Sequence, residues 1–204
     1  MMNILKFFLL LIIIVNVLSC NKLNPSEQAY YDKITAARIE KDNYMKDNPD
    51  SPFNHKSKVD FHNLNYFDVN PDLRFRSKLF ENEIKDIVTI YGTKGEPRET
   101  VRFGYVKINF KNQSYKLNVY ESEYSKQKFY SIWFTDRTTN NESYGVGRYL
   151  DFEIDSDKDF IYDIDFNLAY NPYCAYTAEY SCAIPTKEDH IDLEINAGEK
   201  IFHK

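Results

Sequence analysis

Apolar positions follow three different spacings along this chain. From Phe7 to Val15 they form one unbroken run, from Asn24 to Asn48 they recur at helical intervals, and from Leu73 onward they alternate with polar residues. The first run follows Lys6 and is too short for a span of about twenty residues. It closes on Val17-Leu18-Ser19-Cys20, a small residue just before a cysteine, which predicts a lipoprotein signal peptide over residues 1–19. Cleavage there would leave Cys20 to carry acyl chains, each buried methylene contributing about 0.8 kcal/mol to holding the chain on an envelope membrane. The alternative is an ordinary secretory signal, because Leu18 is larger than the residue usual at that place.

Residues 20–25 read as a tether and 26–204 as a single β-rich domain. Asn24-Pro25-Ser26-Glu27 has the grammar of a helix start: an Asn cap, Pro at the first helical position, and Glu reaching back to the cap. Tyr30, Ile34, Ala37, Lys41 and Tyr44 then mark a helix of about twenty residues that Asn48-Pro49 ends. Its narrow, Tyr-rich stripe suits the covering of a sheet face. Arg38, Lys41 and Asp42 either face a site or are solvated. Residues 47–72 read as loop, with Phe61, Tyr66 and Phe67 available for packing.

After Leu73 the period is two. Leu73–Leu79, Ile87–Tyr91, Val101–Phe110, Tyr115–Tyr120, Phe129–Phe134, Tyr149–Ile154, Phe160–Phe166 and Ile191–Ile195 are the strand candidates, with turns at Gly92–Gly95 and Asn112-Gln113 and a hairpin turn at Asp155–Asp159. Together they predict a mainly β fold, an antiparallel barrel or sandwich of eight or nine strands with one N-terminal helix.

Charge narrows the partners. Without residues 1–19 the chain keeps all but one of its 26 Lys and Arg against 31 Asp and Glu, a net charge of −6. A well-mixed, acidic surface does not suit nucleic acid. The remaining expected partners are the envelope membrane, through the lipid, and a small molecule. Outer-membrane attachment facing the periplasm is the expected location.

Candidate chemistry concentrates between Thr138 and Cys182. Gly145 and Gly147 allow close backbone approach, and Arg148 offers a planar fork for an anion, or else pairs with Asp151 or Asp165. Glu142, Tyr144, Arg148, Tyr149, Asp165, Asn167, Tyr170 and Asn171 are the expected ligand-binding residues. Asp136, Glu142, Asp163 and Asp165 are candidates for a carboxylate pair. Cys174 and Cys182 predict a disulfide whose nine-residue loop would contribute roughly 2.5 kcal/mol. A nucleophilic thiolate, or a metal site joined by His190, are the alternatives. No cofactor is expected, and the acids of Asp155–Asp159 lack the glycine and distal glutamate of a calcium loop.

The motifs Tyr144-Gly-Val-Gly-Arg-Tyr-Leu-Asp151 and Asp165-Phe-Asn-Leu-Ala-Tyr-Asn-Pro-Tyr-Cys-Ala-Tyr176, with Glu142, Cys182, Pro185, Glu188 and Ala197-Gly-Glu199, resemble the bacterial domain-of-unknown-function family numbered 1684. Arg38–Asp42, Ser51-Pro52 and Phe61–Phe67 resemble its N-terminal part. The resemblance implies a single domain and points to Glu142, Arg148, Asn167, Asn171, Cys174 and Cys182. It implies no activity. Three functions are therefore open: a binding module for a small anionic or sugar-like molecule, a hydrolase using acids near Tyr144 or the Cys174 thiol, and an envelope scaffold.

Overall fold

The computed structural model describes residues 23–55 and 59–203, so the expected signal peptide and Cys20 lie outside the described residues. The chain divides into two compact units between Ala36 and Ala37. Helix α1 spans Pro25–Asp47. At its start the expected capping box is present: Asn24 Oδ1 accepts from the Ser26 and Glu27 amides at 3.0 and 2.9 Å, and Glu27 Oε2 accepts from the Asn24 amide at 2.9 Å. These bonds satisfy N–H groups that a helix end otherwise leaves open.

Beyond Ala36 the protein is mainly β. The strands are β1 (Arg74–Ser77), β2 (Leu79–Tyr91), β3 (Pro97–Phe110), β4 (Gln113–Tyr124), β5 (Gln127–Asp136), β6 (Arg148–Phe152), β7 (Tyr162–Asp165) and β8 (His190–Ile191). Strands β2 to β6 form an antiparallel meander in chain order, β8 adds to β5 in parallel, and β1 pairs with β7 in a separate ribbon. The β3–β4 turn has Lys111 and Asn112 at φ 47° and 63°, and the β4–β5 turn has Ser125 and Lys126 at 51° and 65°. Paired positive angles give a hairpin the twist its strands need.

Alternation then builds one core. Val106 and Ile108, Leu117 and Val119, Ile132 and Phe134, Leu150 and Phe152, and Ile164 all turn inward onto Leu73, Phe166, Ile191 and Ile195. Each such side chain contributes roughly 1.5–3 kcal/mol by leaving water. The opposite face carries a second, aromatic cluster of Tyr120, Trp133, Ile90 and Ala183.

Two expectations need correction. The turn at Asp155–Asp159 does not make a hairpin, because β6 stays with β5 while β7 crosses to β1. Between Ala37 and Asp47, the helix packs on loops and not on a sheet: Met45 is buried with Phe53, Leu64, Tyr176 and Phe202.

Candidate functional site

Trp133 on β5 stands directly opposite Tyr149 on β6, and both point away from the main core. Trp133 stacks on Tyr120 with centroids 4.6 Å apart and planes 9° apart, Tyr149 lies 5.8 Å from Trp133, and Tyr170 lies 6.1 Å beyond Tyr149. Tyr170 holds its place because its backbone exchanges both hydrogen bonds with Tyr149, at 2.9 and 3.0 Å. The result is an aromatic ladder running from the sheet to its β6 edge.

This ladder is the floor of a cleft of about 1020 Å³, of a size suited to a small ligand. Five carboxylates line it: Asp151, Glu153, Asp155, Asp163 and Asp165. Among the lining residues the cations are Lys41 and Arg98, both already engaged by acids outside the cleft wall, and Asp163 is paired with Arg74 from outside the lining. Lys41 Nζ lies 2.6 Å from Glu199 Oε1 and 4.3 Å from the Tyr170 ring centroid, and Arg98 donates to Glu96. The cleft is therefore acidic. Tyr170 donates to Asp151 Oδ1 at 2.5 Å, which orients that carboxylate at the aromatic end. Burial pushes the Tyr149 and Tyr170 hydroxyls well above the usual tyrosine range, so both remain donors.

Of the residues expected to bind a ligand, Tyr149, Tyr170 and Asp165 line the cleft. Arg148 does not. Its guanidinium is fully buried and donates to the carbonyls of Ala197, Ile195 and Glu199 and to Asp136, neither Asp151 nor Asp165 being its partner. Asn167 is a latch, accepting from the Asn70 amide at 2.7 Å and donating to the Asn70 carbonyl at 2.8 Å. Asn171 is buried and donates to the Lys200 carbonyl at 2.7 Å, while its amide donates to Glu199. Glu142 is exposed, and Tyr144 donates to the Cys174 carbonyl at 3.1 Å. Asp163 is held by Arg74 through three contacts of 2.5–2.9 Å, which takes it out of any carboxylate pair.

The cysteines correct another expectation. Cys174 and Cys182 are free thiols and not a disulfide. They hydrogen-bond to each other, and the Cys182 thiol, with help from Tyr144 and Thr93, lowers Cys174 to about 7. Cys182 moves up, because it is the donor of that bond and is partly buried. His190 is elsewhere, its Nδ1 3.1 Å from Thr135 Oγ1. Cys182 lines the cleft.

Sequence reasoning missed the acids Asp151, Glu153 and Asp155 as a set. Their spacing of two, interleaved with Phe152 and Ile154, was the signal that they share one face. It also left open Lys41, which the helix delivers to the cleft wall.

A family model described as "Protein of unknown function (DUF1684)" matches residues 59–200. An uncharacterised protein of Haloarcula marismortui, solved by solution NMR, is similar with a TM-score of 0.65 and 26% identity, covering 87% of this chain and 97% of its own. No curated protein matches the chain.

Proposed function

This chain belongs to DUF1684, a family of proteins of unknown function, and we propose that it is a binding module whose cleft holds a sugar-like molecule, preferably one carrying an ammonium group. The carrying observation is the pairing of an aromatic floor with the carboxylates Asp151, Glu153 and Asp155, while the lining cations Lys41 and Arg98 are paired with acids outside the cleft wall. Aromatic faces accept the C–H face of a pyranose, carboxylates accept hydroxyl and ammonium hydrogen bonds, and a cation over a ring gains a further 0.5–2 kcal/mol or so. An anion would meet repulsion instead. The hydrolase reading gains no comparable support: Asp136 is locked beneath Arg148, and the groups on the thiols are hydroxyls.

Attachment to the envelope through a lipid on Cys20 belongs to the same reading and rests on the leader pattern. Among the described residues no helix is long and apolar enough to cross a membrane. Intact mass of the protein from its native envelope tests this: a diacyl or triacyl increment on Cys20 is expected, and an unmodified Cys20 overturns it.

The chain's single tryptophan lies in the cleft floor, so its fluorescence reports occupancy. Titration with an amino sugar, its neutral parent and the corresponding uronic acid should give affinity in that order. Tightest binding of the uronic acid, or no response to any of them at about 1 mM, where even a weak complex of roughly −4 kcal/mol is half formed, counts against the proposal.

A further inference from the structure

Eight positions apart in sequence, Cys174 and Cys182 are brought together on a prepared frame. Cys174 sits in a 3-10 turn over Tyr173–Ala175, and its amide donates to Cys182 Sγ at 3.1 Å. The Cys182 amide donates to Thr93 Oγ1 at 3.2 Å, which ties the second cysteine to the β2–β3 turn. Tyr144 fixes the Cys174 carbonyl at 3.1 Å. Both sulfurs are half-buried, and Cys182 opens onto the cleft, which gives an access path.

We propose that Cys174 and Cys182 form a site for a single thiophilic monovalent ion, chemically Cu(I). Two thiolates are soft ligands, and soft ligands select Cu(I), which is content with two sulfurs in a near-linear arrangement. Zinc wants four ligands in a closed site. Among the described residues no group of three or more His, Cys, Asp and Glu is placed to hold a metal, so the site suits an ion of low coordination number. The surroundings suit the charge as well. Replacing two thiol protons by one Cu⁺ releases two H⁺ and leaves one net negative charge on the sulfurs. The neighbouring Tyr144 and Thr93 hydroxyls favour the ionised form of Cys174, and the Arg98 guanidinium, bonded to the neighbouring Ser181 carbonyl at 2.9 Å, lies close enough to Cys182 to favour its ionised form. No imidazole or carboxylate among the described residues bonds to either sulfur, so the pair has ligands for an ion but no base for acid–base catalysis.

The full chain, reduced and kept under argon, is titrated with Cu(I) against bicinchoninate. Wild type is expected to withdraw one equivalent. Cys174→Ser and Cys182→Ser should each lose more than the roughly 10–100-fold that removal of an outer-shell partner costs, whereas Thr93→Val should lose about that much. Circular dichroism confirms that each variant is folded; if a serine variant is not, alkylating both thiols of folded wild type takes its place and must abolish uptake. Failure to compete with bicinchoninate, undiminished uptake after loss of either thiol, or equally tight retention of Zn(II) overturns the proposal.

Discussion

Arg148 Nη2 lies 3.4 Å from Asp136 Oδ1, and neither side chain reaches solvent. Asp136 ends β5 and Arg148 begins β6, so the pair closes the base of the long loop between them. The carboxylate also accepts from Thr138 Oγ1 and from the Ile195 amide at 2.8 Å, while the guanidinium gathers the carbonyls of residues 195, 197 and 199. One ion pair thus ties the β5–β6 loop to the C-terminal segment. Burial alone would lower the Arg148 pKa, and Asp136 works against that by favouring the charged form. Arg148→Ala leaves Asp136 buried without its counter-ion and is expected to cost about 3–5 kcal/mol in urea unfolding. Arg148→Met should cost a similar amount, because packing volume is kept and only the charge is lost. Sugar affinity of whatever fraction remains folded should be unchanged, since Arg148 does not line the cleft.

Gly147 shows why the same loop tolerates so little. Its φ is +107°, and a Cβ there would stand 2.5 Å from the Phe134 carbonyl oxygen. Gly145 has only the Asn140 side-chain amide at 2.9 Å, the end of a movable group. Gly147→Ala should therefore destabilise by more than about 1 kcal/mol, combining a forbidden backbone region with a backbone clash. Gly145→Ala should stay within about 0.5 kcal/mol. Thermal melts of the two variants side by side make the comparison.

Local signals in the sequence located most elements correctly. The Asn24 capping box, the helix stop before Asn48, the Asn112 turn and the alternation of Leu117, Val119, Ile132 and Phe134 are set by neighbours within a few residues, and each appears as expected. What failed was partner choice. Alternation in Tyr162–Asp165 specifies a strand but not that β1 will be its neighbour, and nothing near Arg148 reveals three carbonyls almost fifty residues away. The cysteines fall in the same class, because spacing permits a bond that the placement of the two thiols does not make. Tyr149 and Tyr170, expected to bind a ligand, both line the cleft, but the charge of their surroundings is not legible in the sequence, since it arises where β6 and β7 meet one cleft.

The thiol pair predicts a pH profile. Cys174 is lowered to about 7 chiefly by the hydrogen bond from Cys182, and a lowered pKa means that thiolate appears as pH rises through 7, ahead of an ordinary cysteine. Iodoacetamide labelling of Cys174, followed by peptide mass spectrometry, should rise with a midpoint near that value and level off above it. Cys182 should lag throughout, being held as the donor. Cys182→Ala removes the main cause, so the Cys174 midpoint should move up toward the usual thiol range. A midpoint that stays put would mean that Tyr144 and Thr93, and not Cys182, set the acidity.

Tyr170 and Asp151 provide the sharpest test of the cleft. The hydroxyl's 2.5 Å bond orients one carboxylate while the ring forms part of the floor, so the two functions separate by substitution. Tyr170→Phe keeps the ring and frees Asp151; stability should fall by roughly 1.5–3 kcal/mol, the range for a hydrogen bond to a charged group, and amino-sugar affinity by about tenfold or less. Tyr170→Ala removes stacking as well and should weaken all sugars, neutral ones included. Asp151→Asn leaves the floor intact and lowers the negative charge, so it should weaken the amino sugar while sparing its neutral parent. The preference for amino sugar should also shrink as salt is raised past about 0.15 M, where charges more than roughly 8 Å apart are screened. Equal losses for charged and neutral sugars in Asp151→Asn would show that this carboxylate shapes the cleft without reading the ligand's charge.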